Sequence, residues 1–156
     1  MNMKSFIIFI IIILINVACS KKDEKTSLIT EKNLELQVLE AYREGMEALE
    51  SGDVLFAAKK FNEAEILFPQ SDWAPRSALM AAYAYYSQDY YGDAIAELKR
   101  FIKIYPQHKN EDYAYYLLAI CYYEQIIDET KDLESILNAK KNFEIIIKKF
   151  PNTEFA

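Results

Sequence analysis

The prolines at 69, 106 and 151 constrain this chain more than any other feature, because the residues around them recur at matching offsets. Nine, thirteen and sixteen residues after Pro69 stand Ala78, Ala82 and Tyr85, and the same steps from Pro106 reach Tyr115, Ala119 and Tyr122. Twelve and eight residues before the three prolines lie Ala57 and Phe61, Ala94 and Leu98, and Ala139 and Phe143. Self-similarity at fixed offsets of this length means stacked units, each a pair of antiparallel helices that cannot bury its apolar face alone.

The order of small and large residues identifies the unit. Gly45, Ala82 and Ala119 on the first helices let a neighbour approach closely, Ala57, Ala94 and Ala139 do so on the second, and proline, having no N–H, stops the second helix. The spacing resembles the tetratricopeptide repeat, with a period of about 34 residues. Here the prolines stand 37 and 45 residues apart, the excess falling in the turns Gln70–Pro75 and Gln107–Asp112 and in an insertion around Ile127–Leu137. The expected fold is an all-α solenoid of three helical hairpins in a right-handed superhelix, with repeats over about 35–69, 70–106 and 107–151 and a fourth starting at 152. The helices are expected over Glu35–Glu50, Val54–Phe68, from Ser71-Asp72 or Pro75 to about Gln88, Asp93–Tyr105, from an Asp112 cap to near Asp128, and Leu137–Phe150. Asn152–Ala156 reads as the lead into a further helix, so the sequence reads as part of a longer solenoid.

The N-terminus reads as an address. Phe6–Ile15 is an unbroken apolar run after a single lysine, too short to span a bilayer and the right length for a signal-peptide core. Ala18-Cys19 at its end resembles a bacterial lipobox, although Asn16 stands where an aliphatic residue is usual; an ordinary signal peptide with an incidental cysteine is the alternative. Residues 1–18 are then the leader, Cys19 the lipidated residue and 19–34 a flexible tether, Ser20–Thr30 being polar and without helical apolar spacing. Ser20 in place of aspartate is consistent with sorting to the outer membrane.

Composition excludes several functions. Three glycines and four prolines in 156 residues that are 52% hydrophobic favour a packed helical body, and a net charge of −6 with interleaved signs speaks against nucleic-acid binding. No cofactor or metal spacing is present. His108 is the only histidine, Cys121 reads as a small buried hydrophobe, and Glu63, Glu65, Glu111 and Asp112 read as solvated faces or caps, so no enzyme is expected. Trp73 reads as a plug between the first two repeats, and Arg100 as a structural ion-pair group.

Several strings go beyond generic repeat spacing. Phe68-Pro69 with Ser71, Trp73-Ala74-Pro75, Met80 to Tyr86, Arg100-Phe101-Ile102-Lys103, Tyr105-Pro106 with His108 and Asn110, Asp112 to Leu117, Tyr123 to Asp128 and Phe150-Pro151-Asn152 together resemble the BamD family of outer-membrane protein assembly factors. The resemblance covers about residues 39–156. It implies five repeats in the family, a lipid-anchored protein of the outer membrane facing the periplasm, partnership with BamA and other assembly-complex subunits, and a role in folding and inserting unfolded β-barrel proteins. The competing expectation is another envelope repeat lipoprotein, coordinating pilus assembly or cell-wall synthesis.

The residues themselves suggest what is bound. Each first helix carries a second apolar stripe at three- and four-residue steps: Leu39, Tyr42, Met46, Leu49; Arg76, Leu79, Tyr83, Tyr86; Tyr113, Tyr116, Ile120, Tyr123. In stacked hairpins this face lines the concave groove, and tyrosine offers rigid contact area with a polar tip. Arg76, the one cation on the stripe, suits a carboxylate. The expected ligand is the aromatic-ended C-terminal strand of an unfolded barrel protein; the alternative is that the tyrosines serve only packing.

Overall fold

Turn chemistry divides the chain into rods. In a computed structural model, which describes the backbone of residues 24–127 and 133–156 and the side chains from residue 33 onward in those ranges, six helices follow one another: α1 Glu24–Glu50, α2 Val54–Leu67, α3 Trp73–Tyr86, α4 Tyr91–Ile104, α5 Glu111–Glu124 and α6 Leu133–Lys149. The expected leader, the expected lipidation site Cys19 and the centre of the Ile127–Leu137 insertion lie outside the described residues. Residues 33–156 form one compact unit. Among the described residues there is no strand, and no helix is long and apolar enough to cross a membrane.

Each second helix stops two residues before its proline, at Leu67, Ile104 and Lys149. Within the first two hairpins the turns share one geometry. Gly52 at φ +82° and Asp89 at φ +63° supply the left-handed residue, and the N–H groups of Asp53 and Tyr90 donate back to Ala48 O at 2.9 Å and Tyr85 O at 3.0 Å. Asp53 then caps α2, its Oδ1 accepting the Phe56 N–H at 3.2 Å.

Some boundaries differ from expectation. α1 begins at Glu24, not Glu35, so the backbone from 24 to 34 is helical where a flexible tether is expected; with no glycine or proline between Ser20 and Arg43, extending a formed helix costs little. Asp112 does not cap α5: the helix starts one residue earlier, and Asp112 Oδ1 accepts the adjacent Tyr113 N–H at 2.8 Å. α5 ends at Glu124 rather than near Asp128, and α6 takes up Leu133–Leu137, part of the expected insertion.

From α2 onward each helix packs on the next, and α3 also meets α5, the succession of a helical-repeat solenoid. α1 meets α2 where Gly45 faces Phe61: a Cβ on Gly45 would lie 2.8 Å from that ring, which is itself fully buried. Ala82, Ala119, Ala57 and Ala94 are completely buried at the equivalent contacts. Aromatics four residues past Pro69 and Pro151 pack back on the preceding unit: Trp73 stands edge-on to Tyr42 at 5.1 Å, and Phe155 packs on Tyr116 at 5.0 Å.

A polar network joins α2 to α4. Arg100 grips Glu65 through both guanidinium nitrogens at 2.8 and 2.7 Å, donates from Nε to Glu97 at 2.7 Å, and Tyr105 OH donates to Glu65 at 2.7 Å. Arg100 is thus the structural ion-pair group expected, but Glu65, only 6% exposed, is no solvated acid. Glu111 is buried as well, accepting from Lys149 Nζ at 2.6 Å and from the Gln107 N–H at 3.2 Å. Charged hydrogen bonds offset the desolvation that burial imposes on both carboxylates.

Two stability predictions follow from these contacts. Gly45→Ala is expected to lower stability by about 1 kcal/mol in denaturant unfolding, the overpacking against Phe61 outweighing alanine's better helix propensity; a gain would mean that the ring yields. Arg100→Ala, which leaves Glu65 buried without its partner, is expected to cost about 2 to 3 kcal/mol, and Arg100→Met with Glu65→Met to recover most of that. Additive losses in the double variant would contradict the ion-pair account.

Candidate binding groove

The first helices α1, α3 and α5 bring part of the predicted stripe together. Tyr42 from α1, Arg76, Leu79 and Tyr83 from α3, and Tyr113 from α5 line one open cavity of about 480 Å³, joined by Met80, Lys109 and Asn110. Residues at steps of three and four share a helix face, so α3 can offer Arg76, Leu79, Met80 and Tyr83 to one hollow. Leu79 is buried and forms the floor. Tyr83 is open to solvent at 37%.

The other stripe residues, Leu39, Leu49 and Ile120 among them, do not line this cavity. Met46 packs into the core around Phe61, Ala57 and Ala81. Tyr86 stands between Tyr83 and Tyr91, with ring centroids 6.3 and 6.2 Å away. Tyr116 is covered by Phe155, which also lies 5.5 Å from Tyr113. Tyr123, at the far end of α5, lines a second cavity. Lys109 and Asn110 are absent from the stripe because they belong to the turn before α5, whose extra length carries them to the cavity. That length is the signal in the sequence that could have found them.

The cavity is cationic at its edge. Arg76 stacks its guanidinium on Trp73 at 5.3 Å, and among the described residues neither Arg76 nor Lys109 makes an ion pair with a carboxylate. Burial pushes the Tyr113 phenol up to about 12 and raises that of Tyr42, against the lowering field of Arg76, so both remain neutral hydrogen-bond donors near neutral pH. An apolar floor, tyrosine walls and two uncompensated cations suit an aromatic side chain beside a carboxylate. Nucleophilic chemistry finds little support here: Cys121 is buried, and burial pushes its thiol up to about 12. Among the described residues no group of three or more His, Cys, Asp or Glu could hold a metal ion.

His108, in the same turn as Lys109, is held by packing. Its ring stands edge-on to Phe101 at 5.6 Å, and Nδ1 accepts the Asn110 N–H at 3.3 Å, which requires that nitrogen to be unprotonated. Burial, then the charges of Lys109 and Arg76, lowers its pKa against an opposing contribution from Asp72.

The chain is similar to known proteins over most of its length. The family described as YfiO, outer membrane lipoprotein, matches residues 35–156. The chain is 38% identical over 138 residues to the outer membrane protein assembly factor BamD of Caulobacter vibrioides, covering 88% of this chain and 44% of that one. Proteins of the same name from Rickettsia prowazekii and Neisseria gonorrhoeae are each 30% identical, over 138 and 145 residues, covering 88% and 85% of this chain and 53% and 52% of theirs. The chain thus spans about half the length of these curated relatives.

The lowered pKa of His108 gives a pH dependence with a definite sign. The unfolded chain takes up a proton near the usual 6.5 and the folded chain only at lower pH, so this contribution to stability is complete above 6.5 and is lost as pH falls below it. Unfolding free energies measured from pH 7.5 to 5 are expected to fall less steeply in His108→Gln than in the parent chain. Parallel curves would show that the histidine is not held neutral.

Proposed function

The chain belongs to the YfiO family of outer membrane lipoproteins, and from that membership we propose that it serves in outer-membrane protein assembly as a non-enzymatic scaffold. In this reading it is anchored through lipid on Cys19, faces the periplasm, and works with BamA and other subunits of the assembly complex. Its groove receives the C-terminal segments of unfolded β-barrel proteins during their folding and insertion. The names of its relatives favour this over a pilus-assembly or cell-wall coordinator.

One observation carries the ligand assignment. Three first helices converge on one apolar hollow whose edge holds two cations, Arg76 and Lys109, that pair with no carboxylate among the described residues. A free main-chain carboxylate next to an aromatic ring satisfies both parts at once: the ring covers Leu79 and Met80 between the tyrosines, while the planar Arg76 fork takes the two oxygens. Opposite charge brought into a partly desolvated pocket is worth more than the same pair in open water.

The experiment compares a synthetic peptide ending in phenylalanine carboxylate with its C-terminal amide, against the parent chain and Arg76→Gln. Amidation is expected to weaken binding to the parent about tenfold, roughly 1.4 kcal/mol, and to matter much less to the variant, since both changes remove the same interaction. Equal affinity of acid and amide for the parent chain would sink the carboxylate assignment, and full affinity in Tyr83→Ala with Tyr113→Ala would sink the groove.

A further inference from the structure

The second helices are held apart by the first helix between them. Among the described residues α2 packs on α3 and α3 on α4, α4 packs on α5 and α5 on α6, and neither α2 with α4 nor α4 with α6 packs directly. Each such pair of second helices therefore has a gap that only side chains can bridge. At the α2–α4 gap the positions seven and four residues before Pro69 are Asn62 and Glu65, and those nine and six before Pro106 are Glu97 and Arg100. These four close it: beside the clasp on Glu65, Arg100 Nη2 donates to Asn62 Oδ1 at 3.3 Å and Asn62 Nδ2 to Glu97 Oε1 at 3.4 Å.

The same offsets one unit later carry different chemistry. Seven and four residues before Pro106 stand Lys99 and Ile102, and nine and six before Pro151 stand Asn142 and Ile145. All four line an open cleft of about 240 Å³ between α4 and α6. Leu118 and Tyr122 of α5, both buried, lie at its floor. Isoleucine has replaced Glu65 and Arg100, asparagine has replaced Glu97, and the bridge is gone.

Charge is reversed as well. Two carboxylates face one guanidinium at the first gap, whereas the second holds Lys99 and Lys141 with no carboxylate among its lining residues. Lys99 Nζ lies 5.4 Å from the centre of the Tyr122 ring, and among the described residues neither lysine pairs with an acid. An anion placed over Leu118 and Tyr122 is shielded from water on one side, which strengthens its attraction to both cations. Asn138 also lines the cleft, and among the described residues its side-chain amide makes no hydrogen bond. That amide both donates and accepts, which matches a peptide unit, while a phosphate headgroup only accepts.

We propose that the cleft between α4 and α6 docks a segment of a partner protein carrying a glutamate or aspartate between apolar side chains. The carboxylate sits between Lys99 and Lys141, supplying from outside the negative charge that Glu65 and Glu97 supply from within at the first gap. The flanking side chains cover Ile102 and Ile145, and the backbone meets Asn138. No residue lines both this cleft and the cavity of the first helices, so the two sites stand or fall separately.

The test uses a synthetic peptide of serine and threonine with Leu-Glu-Ile at its centre, acetylated and amidated so that it brings no main-chain carboxylate, titrated calorimetrically against the full chain. It is expected to bind about tenfold more tightly than the same peptide with glutamine at the centre. Lys99→Met with Lys141→Met, both exposed changes, is expected to remove that difference, and Lys59→Met, ten residues before Pro69 as Lys141 is before Pro151, to leave it intact. Ile102→Glu with Ile145→Arg rebuilds the first gap's pair in the second; it is expected to abolish binding, and the double variant to unfold at higher denaturant than either single one. Equal affinity for the two peptides, or a preference that survives loss of both lysines, overturns the proposal. So does failure of the peptide to bind, whether the lysines then prove to retain phosphatidylglycerol vesicles, which assigns them to a lipid headgroup, or to hold a second copy of the chain in sedimentation.

Discussion

Close approach between helices is the constraint on which the rest depends. Where Gly45 faces Phe61, no space remains for even a methyl group, and the alanines at 57, 82, 94 and 119 are completely buried at the equivalent positions. A large ring burying itself against so small a residue is worth a few kcal/mol, but only if the neighbouring helix supplies the matching surface. That contact closes the first hairpin, but the cluster around Phe61 also takes in Ala81 and Ala84 of α3, so the next unit completes it. Stacking therefore follows from the distribution of side-chain volume along the chain, and stacking sets the first helices side by side, where residues from α1, α3 and α5 can share one hollow.

The hollow owes its character to what the core does not consume. Leucine, phenylalanine and alanine fill the interior, leaving tyrosines whose rings are half-covered and whose hydroxyls meet water or one another's fields. Arg76 is kept at the rim by Trp73, the same ring that ties the second unit to Tyr42 of the first. One indole thus fixes both the junction between units and the position of a cation. Lys109 reaches the other edge because the turn into α5 is long, and Asn110 adds an amide between them.

The sequence makes the solenoid legible because its constraints are steric and local: proline ends a helix wherever it stands, and only a small residue permits a close crossing. Arg100, Trp73 and Cys121 are likewise readable from their surroundings in the chain. Other features depend on partners that no local window contains. Glu65 looks like a surface acid until Arg100, 35 residues later, closes on it, and Glu111 needs Lys149 from the end of α6. The stripe on α5 is correctly periodic, yet periodicity cannot say that Phe155 would cover Tyr116 while Tyr123 stayed open. The start of α1 at Glu24 escapes for the opposite reason, since polar residues that bury nothing can still prolong a helix already nucleated.

The bidentate clasp of Arg100 on Glu65 has a mechanical corollary. Apolar side chains sliding over one another tolerate small rotations, whereas a planar fork bound through two parallel bonds loses both when it is twisted. Placed between α2 and α4, on the second helices and so away from the tyrosine-lined side, it acts as a torsional stop for the first two units. Deformation of the cavity among the first helices must then be shared by the pair as a rigid plate, so its width is set from behind, by residues that do not line it.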